Sequence, residues 1–201
     1  MASHLQKITF IALLLTIGIP LSTGDRERSR RLKHSNDTEQ HLRDLCSETK
    51  RSDECWNILK SALNKFHDNS DDQYFMASVV TDLAITKSKE IYDRVYQYYS
   101  NSNDDGLKKK YFSCSKNYYN ANCNLVLARR NLEYDEYPNI SDELDDVEEE
   151  LKICRQNFRE ESFDAGRVKG QNEEFGLYVD IVRAAAGRLP KNEDPIKYFY
   201  P

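Results

Sequence analysis

The side chains that most often carry catalysis are sparse in this 201-residue chain. Beyond the first 24 residues the only histidines are His34, His41 and His67, and all three precede the long helices predicted below. A Ser-His-Asp or Cys-His enzyme needs a histidine within a structured cleft. The sequence also lacks HExxH, GxGxxG, GxxxxGK(S/T) and Cys-x-x-Cys motifs. We therefore expect a protein that is not an enzyme and that has no cofactor and no bound metal.

Carboxylates are concentrated in one segment, where residues 133–150 hold ten acidic residues and no Lys or Arg. Dimetal bundles use inward Glu and Glu-x-x-His side chains. Here no histidine accompanies the acids, and the inward positions at heptad spacing are apolar: Ile140, Leu144, Val147 and Leu151. We expect an outward acidic surface that complements a basic partner. The net charge of −5 argues against a nucleic-acid partner.

Five cysteines allow two disulfides and one free thiol. Only eight residues separate Cys46 from Cys55, so a bridge between them would close the turn of a short helical hairpin. Cys114 and Cys154 both lie on apolar seams, and their midpoint falls in the loop predicted at 133–137. Antiparallel helices joined by that loop bring the two residues level, which predicts a second bridge.

Cys123 is expected to be the unpaired thiol. It lies nine residues after Cys114. At 100° per residue, nine steps place it on the opposite face of the same helix.

The N-terminal segment is typical of a secreted protein. An apolar run of 14 residues, Ile8 to Leu21, follows Lys7 and is shorter than the roughly 18–20 residues that span a bilayer. Small residues before Asp25 predict a signal peptide at 1–24, cleaved after Gly24, and no membrane association afterwards. Residues 25–37 read as a flexible basic arm. Secretion permits disulfides and makes two N-glycosylation sequons usable, at Asn36 and Asn139.

Apolar stripes at helical spacing then predict four long helices with short connections. The first follows a Ser70–Gln73 capping box, the second has Asp104 as its N-cap, the third has Pro138 in its first turn, and the last covers about 172–189. Several tyrosines, among them Tyr96, Tyr99 and Tyr119, are expected outside, where they can anchor an interface. The predicted fold is all-α: an up-and-down four-helix bundle after a short N-terminal helical hairpin, stapled by disulfides. A tail at 190–201 follows the domain at 38–189.

This frame resembles the plant invertase/pectin methylesterase inhibitor family, and in particular its pollen-allergen-type branch of invertase inhibitors. The resemblance rests on cysteine pairs nine and forty residues apart, the first bundle helix (SVVTDLAITKSKEI), Leu107–Cys114 with Tyr118 one turn later, and Tyr137 before the third helix. The Cys154-x-x-x-Phe158 pattern and the helix from Asn172 to Leu189 also agree.

The resemblance implies a secreted inhibitor that occludes the active site of a plant cell-wall or vacuolar enzyme, pectin methylesterase or acid invertase, in a 1:1 complex. It implies residence in the apoplast, with the vacuole as the alternative. Where invertase inhibitors often have Pro-Lys-Phe, this chain has Pro138-Asn139-Ile140; these residues and Tyr137 are the candidate contacts with the enzyme. The alternative function is a non-inhibitory helical carrier or an allergen-like binding protein.

Overall fold

The structure, a computed structural model, describes residues 37–66, 72–158 and 163–190. The chain consists of two compact units, Met1–Asp37 and Thr38–Pro201. The helical packing described below belongs to the second unit. Several predictions lie outside the described residues: the signal peptide, nearly all of the basic arm, the C-terminal tail beyond Pro190, His34, His67 and the sequon at Asn36.

Six α-helices make up the described fold. A short pair comes first, with α1 at 37–47 and α2 at Ser52–Ser61, followed by a 3₁₀ turn at Leu63–Lys65. Four long helices follow: α3 at Gln73–Asn101, α4 at Asp105–Glu133, α5 at Asn139–Gln156 and α6 at Phe163–Gly187.

The four long helices pack as a closed bundle. Helix α3 contacts α4 and α6, and α5 contacts the same two helices from the other side. The heptad positions of α4 and α5 point inward, where Tyr118, Leu125, Leu144 and Val147 are fully buried. The predicted all-α architecture, a short helical pair before a four-helix bundle, is confirmed.

Two disulfides link the helices at the pairs expected from the sequence. Cys46–Cys55 joins α1 to α2 with a Cα–Cα distance of 5.5 Å, and Cys114–Cys154 joins α4 to α5 at 4.7 Å. The sulfur atoms of the second bridge lie in the fully buried core. Cys123, on the opposite face of α4, is an exposed free thiol.

The helical hairpin α1–α2 docks on α6. Arg188 binds Glu48 through Nε at 2.9 Å, and an amino group of Arg51 donates to the Glu173 carbonyl at 2.5 Å. Trp56 lies half-buried on α2, with the Arg43 guanidinium 3.8 Å above its ring centroid.

Two helix starts differ from the prediction. Helix α3 is capped by Asp72 rather than Ser70, because the Asp72 carboxylate accepts hydrogen bonds from the amides of Tyr74 (2.9 Å) and Phe75 (3.1 Å). Helix α6 begins at Phe163 rather than near residue 172. Gly166 and Gly170 weaken the helical signal there, yet Val168 is buried in the core and Asp164 accepts a hydrogen bond from Tyr111. Tertiary contacts therefore sustain these two extra turns.

Candidate functional site

The loop between α4 and α5 has a defined backbone. Asp135 adopts a left-handed φ of 58° just after the helix end. The amide of Glu136 bonds back to the carbonyl of Asn131 at 2.8 Å, and the amide of Asp135 to that of Leu132 at 3.3 Å. This pair of bonds is a Schellman motif, which ends a helix in one fixed direction. The loop therefore presents its next residues from a rigid base.

Tyr137 continues the loop by folding back onto it. Its hydroxyl donates to the Asp135 carboxylate at 2.5 Å. That hydrogen bond, with a smaller contribution from burial, raises the pKa of Tyr137 to about 12. The phenol remains protonated at physiological pH, so this contact persists across the range in which the protein works.

The four candidate contact residues are close together but not equally accessible. Pro138 and Asn139 are exposed, and Tyr137 is half-buried. Ile140 is 1% exposed and packs in the bundle core, so the expectation that it contacts a partner is wrong. Its place on the inward heptad seam explains the difference. The side-chain amide of Asn139 lies 3.5 Å from Glu136, and the exposed sequon is open to solvent.

An apolar groove of about 460 Å³ adjoins this loop, between the start of α5 and the end of α6. Tyr137 and Pro138 form one wall, and Ala186, Leu189 and Pro190 form the other. Leu144 is also part of the lining. The loop and the groove together make a surface with both a protruding and a concave part, which suits contact with another macromolecule.

Some carboxylates of the acidic segment 133–150 form ion pairs or hydrogen bonds with the helices on either side of α5, and others do not. On the α6 side, Arg183 binds Asp145 at 2.8 Å and Glu148 at 2.9 Å. On the α4 side, the amides of Asn117 and Asn120 donate to the Glu150 carboxylate at 2.5 and 3.0 Å. The pairing by Arg183, across two helices, was missed by the sequence reasoning because nothing in a linear pattern indicates which helix an arginine faces.

Three further carboxylates of α5 lie nearby: Asp142 and Asp146 on its outer face, and Glu143 on the side toward α4, where it accepts a side-chain hydrogen bond from Asn131. Asp142 and Asp146 are exposed, and Glu143 is half-buried. Burial raises the pKa of Glu143, and the negative charges of Asp146 and Asp142 raise it further, although the hydrogen bond from Asn131 partly offsets these effects. This cluster is the part of the acidic surface that most favours a cationic partner.

Replacing Glu143 by glutamine should raise the melting temperature near neutral pH. The folded protein holds this proton more tightly than the unfolded chain, so the charged form opposes folding, and that penalty disappears as pH falls below the unfolded pKa. The gain should therefore vanish at about pH 3, where the carboxyl is neutral in both states. Thermal unfolding at the two pH values measures the difference. Asp93→Asn, which removes an exposed carboxylate on α3, is the control; an equal gain from both variants would refute the local origin.

Replacing Asp135 by alanine should lower the free energy of unfolding by about 1–2 kcal/mol, because the variant loses the Tyr137 hydrogen bond and places a β-carbon without polar compensation at positive φ. Asp135→Asn keeps an acceptor and tolerates the left-handed region, so it should cost much less. Urea unfolding of the two variants checks this. Equal losses would show that neither the hydrogen-bond acceptor nor the tolerance of positive φ is what residue 135 contributes.

Two features are absent from the described residues. Within 37–66, 72–158 and 163–190, no three His, Cys, Asp or Glu side chains are grouped to hold a metal ion. Among the same residues, no helix combines the length and the apolar character needed to cross a bilayer.

The fold is similar to that of solved structures. A mutant form of a pectin methylesterase inhibitor from Arabidopsis superposes with a TM-score of 0.62 at 15% identity, over 73% of this chain and 95% of that one. The fold is that of a pectin methylesterase inhibitor. A second such inhibitor, from Arabidopsis thaliana, gives a TM-score of 0.56 at 18% identity, over 76% of this chain and 98% of that one. No protein-family model matches the chain, and no curated protein matches its sequence.

Within this pectin methylesterase inhibitor fold, the candidate site is the connection between the second and third bundle helices, together with the outer face of the third. Each match covers nearly the whole of the solved inhibitor, 95% of one chain and 98% of the other. The likeness at this level of identity concerns the fold; the finer assignment to a pollen-allergen-type branch stays a prediction.

Proposed function

We propose that this protein is a secreted inhibitor, without enzyme activity, that binds a pectin methylesterase or an acid invertase in a 1:1 complex and occludes its active site. The observation that carries the proposal is the fold, which covers almost the whole of two solved pectin methylesterase inhibitors. The rigid loop at 134–138 and the carboxylates of α5 offer a contact surface. The inward seams of the long helices are buried against one another, which favours a binding surface over an internal carrier site.

The remaining sequence predictions form part of the same proposal. A signal peptide at 1–24 directs the chain to the apoplast or, alternatively, the vacuole, and a basic arm at 25–37 precedes the inhibitor domain at 38–189 and the tail at 190–201. Asn36 and Asn139 are its glycosylation sites. Intact mass and peptide mapping of the non-reduced secreted protein report cleavage, glycans and disulfides together.

The decisive experiment titrates a purified pectin methylesterase and a purified acid invertase with the intact protein. We expect one of the two activities to fall to zero with a 1:1 endpoint. No loss of either activity at micromolar protein would overturn the proposal. Which enzyme responds identifies the target, because the two assays measure chemically different products, free carboxyl groups on pectin and reducing sugar from sucrose.

A charge-reversal pair tests the role of the acidic surface. Asp146→Lys should slow association with the inhibited enzyme by about tenfold at low salt, because it reverses charge within the outer cluster of α5. Asp53→Lys changes the net charge by the same amount on exposed α2 and should leave the association rate nearly unchanged. Equal effects of the two variants would show that only the overall charge matters. Stopped-flow measurement of inhibition at two salt concentrations gives both rates.

A further inference from the structure

The outward face of α4 is unusually apolar. Among the described residues, seven large hydrophobic side chains are strongly exposed, and five of them lie on α4 or at its C-cap. These five are between 41% and 65% exposed: Phe112, Tyr119, Val126, Leu127 and Tyr134. Isolated exposed side chains are normal, whereas a contiguous row of them marks an interaction surface.

The row lies directly opposite the buried seam of the same helix. Phe112, Tyr119 and Val126 are seven residues apart, the spacing that keeps side chains on one helix face. Rings from α3 extend this face sideways: Tyr92 lies 6.4 Å from Tyr119, and Tyr99 lies 5.4 Å from Phe112, measured between ring centroids. We refer to this surface, the exposed side of α4 with the aromatic edge of α3, as the outer α4 face.

The positions on the outer α4 face are symmetric about Cys123. Phe112 and Tyr134 lie eleven residues before and after it, and Tyr119 and Leu127 lie four residues before and after it. Two such helices packed antiparallel bring residue 123 − k of one copy level with residue 123 + k of the other. Phe112 then meets Tyr134 and Tyr119 meets Leu127, each pair twice, as an isologous interface requires, whereas Val126 comes level with Asn120.

We propose that the outer α4 face binds a second copy of the chain, with the two α4 helices antiparallel and the two-fold axis passing beside Cys123. This inference goes beyond the proposed inhibitory function and does not depend on it. Phe112 of one copy packs on Tyr134 of the other, and Tyr119 packs between Val126 and Leu127.

Charge selects the antiparallel direction. The first turns of α4 carry Lys108 and Lys109, whereas its C-terminal end is followed by Asp135 and Glu136. In the antiparallel pair Lys110 of one copy comes level with Glu136 of the other, and Lys109 lies within one residue of that level. A parallel pair would set lysine beside lysine and carboxylate beside carboxylate. Lys116 also comes level with Arg130, but the Arg130 guanidinium lies over the Tyr134 ring, 5.5 Å from its centroid, which directs it along its own helix.

The available area suits a stable dimer. From Phe112 to Tyr134 the face is about 33 Å long, and with the aromatic edge of α3 it is about 15–20 Å wide. That is roughly 500–660 Å² on each copy, at the lower end of the area that a typical specific interface buries per partner.

The distance between the two Cys123 residues tests this arrangement. Helices packed about 9–10 Å apart place facing Cα atoms about 5 Å apart, within the range that a disulfide bridges. Cys123 is free and exposed. Oxidised glutathione should therefore convert the two facing thiols into one intermolecular disulfide, with the two electrons passing to glutathione disulfide to give two glutathione thiols.

The test is sedimentation equilibrium of the intact protein in reducing buffer, followed by oxidation. We expect the average mass to rise from one chain to two with concentration, and Tyr119→Glu to raise the concentration at the midpoint at least about tenfold. Ile153→Glu places the same charge at an exposed apolar position of α5 outside the face, and it should leave the midpoint unchanged. Glutathione disulfide should give a Cys123–Cys123 cross-link in peptide maps, and Cys123→Ser should still dimerise.

Charge exchange tests the direction. Lys109→Glu and Glu136→Lys should each weaken the dimer, and the double variant should restore it, because the exchanged charges meet again only in the antiparallel pair. Failure of the double variant to recover would overturn this geometry. A protein that stays monomeric at all concentrations, or a dimer indifferent to Tyr119→Glu, would overturn the proposal. The proposal would also be overturned if the protein were monomeric and Tyr119→Glu abolished inhibition, because the outer α4 face would then bind the target enzyme and not a second copy.

Discussion

Replacing Cys114 and Cys154 together by alanine should lower the free energy of unfolding by about 4 kcal/mol, because the bridge closes a loop of forty residues and its loss frees the unfolded chain. A domain of this size has only about 5–15 kcal/mol in total. The bridge also joins α4 to α5 within the buried core, toward the end of the two helices that is far from the loop of the candidate site. Denaturant unfolding of the double variant measures the loss as a shift in midpoint.

Two matched variants make this result interpretable. Removing Cys46 and Cys55 opens a loop with a sequence separation of only nine, so it should cost about 2.5 kcal/mol. Cys123→Ala removes an exposed thiol and should change the stability of the monomer little. If the short-loop variant lost as much as the long-loop variant, chain entropy would not be the main contribution of these bridges.

The second large effect concerns a polar contact inside the bundle. The Tyr118 hydroxyl donates to the Asn172 side-chain carbonyl at 2.8 Å, and both residues are buried. Burial raises the pKa of Tyr118, so the hydroxyl stays protonated and remains a donor. Asn172→Ala should lower the free energy of unfolding by about 2–3 kcal/mol, because it leaves a buried hydroxyl without its acceptor and opens a cavity. Urea unfolding provides the measurement.

A double-mutant cycle separates the hydrogen bond from the packing. Tyr118→Phe alone leaves the Asn172 amide with neither of its polar atoms bonded, since its Nδ2 already lacks a hydrogen-bond partner in the structure. Combining Tyr118→Phe with Asn172→Leu removes both polar groups and should recover much of the loss. Strictly additive losses would contradict a direct coupling between the two side chains.

Local patterns were sufficient for the helices and the bridges because both depend on spacing along the chain. Cys114 and Cys154 lie at equal distances from the turn, so antiparallel packing alone brings them together. The predicted start of α3 was wrong because Asp72, two residues after Ser70, is also a good N-cap. The predicted start of α6 was wrong because two glycines lower the helix propensity of its first turns, which core contacts nevertheless hold in a helix.

The site was harder to predict because it depends on contacts between distant helices. The outward direction of the acidic residues followed from periodicity, but their division into paired and unneutralised groups depends on Arg183, which reaches α5 from another helix. Ile140 was assigned both to the core seam and to the partner surface, and only its burial resolves the conflict. The left-handed Asp135 that fixes the loop carries no sequence signal of its own, since glycine is the residue usually found there.

The position of Trp56 gives the molecule two separate fluorescence signals. It is the only tryptophan of the chain and lies in the docked hairpin, whereas all thirteen tyrosines follow residue 73. Indole emission therefore reports on the hairpin alone, and tyrosine emission reports mainly on the bundle. If the hairpin detaches from α6 before the bundle melts, the two emission bands will change at different denaturant concentrations; a single cooperative unit will change both at once.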